Sequence, residues 1–194
     1  MTSPSPLVLG ADGIRYADGT PRTAQLDRWY PVLRERPDPA TVHDHHRPDP
    51  ALLWDRADRR LCSSCGGPPD RSDAGVLWLL PGSPPSRAAW PGWVDTTHPP
   101  LCAAHAHAAV TACPSLGAAH FPLRARHVEP VGVLGVRHDP VTGRPEPGDD
   151  GDADGLAFVP FTDPATLRLT AARSLVLRLS APALSALPTP EPSR

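Results

Sequence analysis

Cys62-Ser-Ser-Cys65-Gly-Gly is answered about forty residues later by Cys102-Ala-Ala-His105, and no other feature constrains the fold of this chain as tightly. A gap of two residues lets both side chains of a turn reach one ion without strain. Thiolate and imidazole are the donors that structural zinc takes in tetrahedral sets of four. The spacing therefore predicts that two turns far apart in sequence meet at one structural Zn²⁺, held by Cys62, Cys65, Cys102 and His105.

The neighbours of Cys65 separate this reading from a redox pair. A thioredoxin-like motif opens a helix, whereas Gly66-Gly67-Pro68-Pro69 cannot continue one. Glycines after the second thiolate let the backbone turn with its N–H groups toward sulfur. Cys113, His98 and His107 compete with His105 for the fourth place. On a helix through 102–113, Cys113 lies about 16 Å further along than Cys102, too far for one ion. His107 lies about 140° around the axis and His105 only about 60°, which favours His105. His98, before two prolines, remains open as a loop ligand.

Four protein ligands leave no open coordination position, and closed sites are structural rather than catalytic. The H-x-E and P-C-x-x-C signature of zinc deaminases is absent, as is H-E-x-x-H. His43-Asp44-His45-His46 gathers three imidazoles and reads as a solvated loop before it reads as a second metal site. The acidic turn 149–154 copies the start of a calcium loop. Its twelfth position, where a bidentate Glu belongs, is Phe161.

Among the 194 residues are 28 Pro and 15 Gly, which remove much of the chain from regular structure. All 19 basic residues are Arg, and the net charge of −2 supplies no broad positive field for nucleic acid. Arg124, Arg126 and Arg137, with Arg144, could still gather on one side of a sheet and meet a phosphate or carboxylate. The N-terminus lacks the charged and apolar regions of a secretory signal, and no apolar run approaches the roughly 20 residues that span a bilayer. A soluble, cytoplasmic protein is expected, with its Cys serving as ligands or buried thiols.

Pro density predicts flexible segments at 1–20 and 181–194, without ladders, around a single zinc-stabilised domain over 21–180. Thr23–Arg36 has weak helical spacing, and Ala51–Leu61 is either a helix or an extended lead. Val76–Leu80 reads as a buried strand that forms a hairpin with Trp90–Val94. Leu101–Ala112 reads as a helix with His105 in its first turn. Phe121–Val128 alternates as a half-exposed strand, Val131–Arg137 is its return strand, and Leu156–Phe161 adds a third. Asp163-Pro164 opens a helix to about Ser180, with Ala171, Ala172, Leu175, Val176 and Leu179 on one side.

A CxxC knuckle, a hairpin and a second ligand pair at a helix start resemble, over residues 60–114, the treble-clef group of zinc folds. More narrowly, Leu61-Cys-Ser-Ser-Cys-Gly-Gly-Pro, Val76-Leu-Trp-Leu-Leu-Pro, His98-Pro-Pro-Leu-Cys102, Leu123-Arg-Ala-Arg-His127 and Val131-Gly-Val-Leu-Gly135 resemble a family of uncharacterised actinobacterial proteins. That family tends to carry Cys at the place of His105, a change that preserves zinc chemistry, and it implies no activity. Leu101-Cys-Ala-Ala-His105 is also similar to a structural-zinc segment of HNH-type nucleases. Their Mg²⁺-holding residues are not matched, and His98 is the only candidate base.

The fold class expected is α+β. A treble-clef-like zinc unit over about 60–114 precedes a small antiparallel sheet and a C-terminal helix over about 120–180. The function expected is a non-catalytic zinc-stabilised module that binds a protein or nucleic acid through the sheet after the metal site. The competing reading is a metal-dependent hydrolase or nuclease that uses His98, His105 or His107.

Overall fold

A computed structural model describes residues 6–36, 49–84, 92–148 and 154–188. In chain order the first elements are β1 (Leu7–Gly10), β2 (Gly13–Tyr16), α1 (Arg22–Gln25), β3 (Leu33–Arg34), α2 (Pro50–Asp58), β4 (Arg71–Ser72), β5 (Gly75–Pro81) and β6 (Trp93–Thr96). They are followed by α3 (Ala103–Ala112), α4 (Pro114–Ala118), β7 (His120–Ala125), β8 (His127–Arg137), β9 (Ala157–Pro160), α5 (Pro164–Leu167), β10 (Thr170–Ser180) and β11 (Ala183–Leu184). The fold is mixed α+β, mostly strands in three sheets with a few short helices. No helix among the described residues is long and apolar enough to cross a membrane.

The described residues gather into two compact units. The first takes Met1–Val42 and Val131–Val176; the second takes His43–Pro130 and Leu177–Arg194. In the first, β1 and β2 form an antiparallel hairpin from Leu7↔Tyr16 to Gly10↔Gly13. At Gly13, with φ of +116°, a Cβ would lie 2.1 Å from the Arg168 carbonyl oxygen, so only glycine fits. The sheet runs β3-β10-β8-β9, with β3 parallel to β10 and β9 antiparallel to β8. Ile14, Tyr16, Leu33 and Ala171 form its buried cluster.

The second unit carries the sheet β11-β7-β5-β4, and β6 pairs with Leu177–Ser180 of β10. β5 is buried on both faces. Val76, Trp78 and Leu80 pack with Phe121, Leu123, Ala125 and Leu179. Leu77 and Leu79 point the other way and pack with Cys62, Leu101, Ala106 and Leu116. α2 ends with Arg60 in the left-handed region, the Leu61 N–H reaching back to the Arg56 carbonyl and the Arg60 N–H to that of Ala57. Ala181, between β10 and β11, also has a positive φ of 49°, a conformation that costs an L-residue about 1–2 kcal/mol.

Several expectations are corrected. The helix over 164–180 is a single turn, Pro164–Leu167, capped by Asp163; Thr170–Ser180 is instead an eleven-residue strand. Its buried positions fall on both faces, and such a strand shows no period-two pattern. The N-terminal segment does form a ladder, because no proline falls between Pro6 and Pro21. Trp93–Thr96 pairs with β10 rather than with β5, and Trp90 lies outside the described residues. β8 is not the return strand of β7: β7 pairs with β5 and β11, and β8 belongs to a different sheet. The helical spacing of Thr23–Arg36 yields only the turn of α1, followed by β3.

Candidate metal centre

The CxxC turn is built by its own backbone. The Cys62 N–H donates to the Gly67 carbonyl at 2.8 Å and the Gly66 N–H to the Cys62 carbonyl at 2.9 Å. Gly66 adopts φ of +71°, the left-handed conformation that glycine admits freely. The Gly67 N–H then points at Cys65 Sγ, 3.4 Å away. A Cβ on Gly67 would touch that same sulfur.

The second pair comes from the start of α3. Cys102 is its N-cap and His105 lies in its first turn, so the two side chains project from one end of the helix. Backbone bonds fasten this end to the knuckle and to β5. The Ser63 N–H donates to the Pro100 carbonyl, Asp70 N–H to Leu101, Leu101 N–H to Leu77 and Leu77 N–H to Asp70. Asp70 also accepts from Arg124 of β7, whose guanidinium further donates to the Gly75 carbonyl at 3.1 Å.

The result is a group of four donor atoms, from Cys62, Cys65, Cys102 and His105, all within 4.8 Å of one another. Among the described residues it is the one group of three or more His, Cys, Asp or Glu side chains close enough to hold an ion. Zinc–sulfur bonds of ~2.3 Å in a tetrahedron set two sulfurs roughly 3.8 Å apart, and Cys62 and Cys102 are 3.7 Å apart. Cys102 Sγ lies 3.0 Å from His105 Nδ1. Cys62 is fully buried, Cys102 and His105 are half-buried, and Cys65 is exposed.

Electrostatics support the same reading. Burial pushes the Cys62 thiol pKa up, but the N–H groups of Cys65, Cys102 and Ser64 outweigh it and bring the thiol below its ordinary value. The Cys102 thiol is pushed up, first by burial and then by its closeness to Cys62. Two thiolates this near repel each other unless a cation lies between them. Three sulfurs and one imidazole nitrogen suit a metal ion of zinc's preferences.

The competing ligands fall elsewhere. His98 is exposed; its N–H donates to Thr96 Oγ1 at 3.1 Å and its carbonyl accepts from Trp78 Nε1 at 3.1 Å, so it shapes a turn. His107 is hydrogen-bonded through Nε2 to the Pro188 carbonyl. Cys113 packs half-buried against the Leu77–Leu101 cluster. The three arginines do not share one sheet. Arg124 is tied to Asp70, Arg126 stands exposed just beyond β7, and Arg137, on a different sheet, lies 3.6 Å from Glu146. His43–His46 and 149–153 lie outside the described residues, while Asp154 accepts from Arg173 at 3.1 Å.

The Ser63–Pro100 clamp and the Asp70–Arg124 pair are the supporting residues that sequence reasoning missed. Pro99-Pro100 next to Cys102 was the available signal, since paired prolines hold an extended approach whose carbonyls stay free to accept. No protein-family model, curated protein or solved structure matches the chain.

Proposed function

We propose that Cys62, Cys65, Cys102 and His105 hold one structural Zn²⁺ and that the protein is a non-catalytic module that binds a protein partner. The observation that carries this is the convergence of four soft or borderline donors on a point next to a buried apolar cluster. Zinc there would neutralise the paired thiolates and cross-link the knuckle to α3 and β5, contributing folding free energy rather than a reactive water. With four protein ligands, no position is left for substrate.

A protein partner is favoured over nucleic acid because four arginines on the strands after the metal site face carboxylates of the chain itself. Arg124 pairs with Asp70, Arg137 with Glu146, Arg173 with Glu35 and Arg178 with Asp95. With a net charge of −2, the chain as a whole supplies no broad positive field for a phosphate backbone. Metal analysis with a ligand mutant series tests the proposal. One zinc per chain, a tetrahedral three-sulfur, one-nitrogen spectrum on cobalt exchange, and loss of both metal and fold in Cys102→Ser are expected. An exchangeable ion with a coordinated water, or phosphodiester cleavage lost in His98→Ala, would instead make it a hydrolase.

A further inference from the structure

The last described stretch, Pro182–Pro188, occupies a seat on the second unit. Ala183 and Leu184 make a two-rung antiparallel ladder with Arg124 and Leu123 of β7, and the Ser185 N–H donates to the Pro122 carbonyl at 3.1 Å. Leu187 packs against the cluster of Cys62, Leu77, Leu79, Leu101, Ala106 and Leu116. His107 Nε2 on α3 meets the Pro188 carbonyl. The seat thus reads an extended, uncharged strand by its backbone, by one apolar side chain and by one carbonyl. The hold is light: Ala183 and Ala186 are exposed, and Leu184 is 51% exposed.

The chain reaches this seat through an unfavourable hinge. Ala181 carries φ of 49° and is followed by Pro182. A residue before proline is pushed toward extended backbone by the proline ring, and left-handed backbone is unfavourable for alanine in any case. The relaxed form of this hinge is therefore extended, carrying the chain onward from β10 instead of back onto β7. We infer that Pro182–Pro188 is exchanged between two copies of this chain, each tail seating on the other's β7 and α3 with Ala181 extended. The partner copy's Leu187 then completes the apolar cluster beside the metal centre, and its Pro188 carbonyl meets His107. Every contact of the seated tail is kept in the exchanged form. The balance therefore lies between relief of two hinges and the freedom lost when two chains associate. Strained short hinges are the condition under which such exchange is favoured. This inference stands apart from the metal reading, because the seat and hinge are present whatever ion the cysteines hold.

Sedimentation velocity on the full chain, from low micromolar to near-millimolar concentration, tests it. A concentration-dependent dimer is expected, and Ala181→Gly, which admits φ of 49° freely, should weaken it by roughly tenfold or more for two relieved hinges. Leu187→Asp should return the chain to monomer with its tryptophan fluorescence unchanged. Mixing an Ala183→Cys chain with an Arg124→Cys chain should give a disulfide between the two different chains, since cysteines placed on separate chains face each other only across an exchanged ladder. A monomer at all concentrations, a dimer indifferent to both Ala181→Gly and Leu187→Asp, or no mixed disulfide overturns the inference. If Arg124→Cys loses its fold, the response to Ala181→Gly and Leu187→Asp decides alone.

Discussion

The two units reach order by different routes. In the first, polar side chains close the turns. Gln25 accepts from the Tyr16 N–H at 2.7 Å and donates to the Thr20 carbonyl, Asp163 caps α5, and Arg173 bridges Glu35 and Asp154 beside the Ile14–Leu33 cluster. In the second, backbone bonds bring four metal-binding donors to one point beside β5. Side-chain turn closures are numerous, individually small and additive at a distance, so the first unit should weaken by degrees. The metal cross-link proposed there is all or none, so the second should fail at once.

Removing the metal tests that contrast most severely. Chelation at neutral pH, or Cys102→Ser, should remove folding free energy on the order of 10 kcal/mol from the second unit. Amide exchange should show Leu77, Leu79 and Ala106 losing protection while Ile14 and Leu33 keep theirs; simultaneous loss in both would erase the distinction. Trp78→Ala, with its side chain fully buried, should cost about 3–5 kcal/mol, read from denaturant midpoints of the zinc-loaded protein. Leu33→Ala should cost about 2–5 kcal/mol in the first unit and leave metal stoichiometry untouched.

Asp70→Asn should have a smaller effect, about 1.5–3 kcal/mol for a charge-assisted bond, and should speed metal release to a chelator, because Asp70 joins the ligand-bearing backbone to Arg124. The smallest effect belongs to Asp18. Hydrogen bonds from Arg36 and then from the Thr20 N–H hold its pKa at about 2, against an ordinary 3.8. The folded value lies below the unfolded one, so this contribution is complete above about pH 4 and fades as pH falls toward 2. Protection of the Thr20 amide should decline through that window in the wild type and stay flat in Asp18→Asn.

The cluster of Cys62, Cys65, Cys102 and His105 was the most legible part of the sequence, because ligand spacing is a local code. Two residues between thiolates, glycines after the second, and a helix start at Cys102 each act within a turn. Short-range alternation likewise exposed β7, whose Phe121, Leu123 and Ala125 face inward. Strand partners were illegible for the opposite reason: nothing in Trp93–Thr96 says that its neighbour is Leu177–Ser180, some eighty residues on. β10 was misread as a helix because Ala171, Ala172, Leu175, Val176 and Leu179 fit a helical face while burial on both sides of a central strand hides its true period. Arg124 and Arg137 looked alike in sequence, and only the sheet order shows that they serve separate ion pairs.

The division of β5 between two clusters has a consequence for how mutations accumulate. Its odd-numbered leucines answer to one neighbourhood and its even-numbered residues to another, and a shift of pairing by a single residue would present each set to the wrong one. Trp78 would then need space beside Cys62, and Leu77 would leave a void opposite Leu123. The strand is thereby proofread from both sides at once. Single-residue insertions or deletions between Gly75 and Pro81 should be purged even where conservative replacements at the same positions survive.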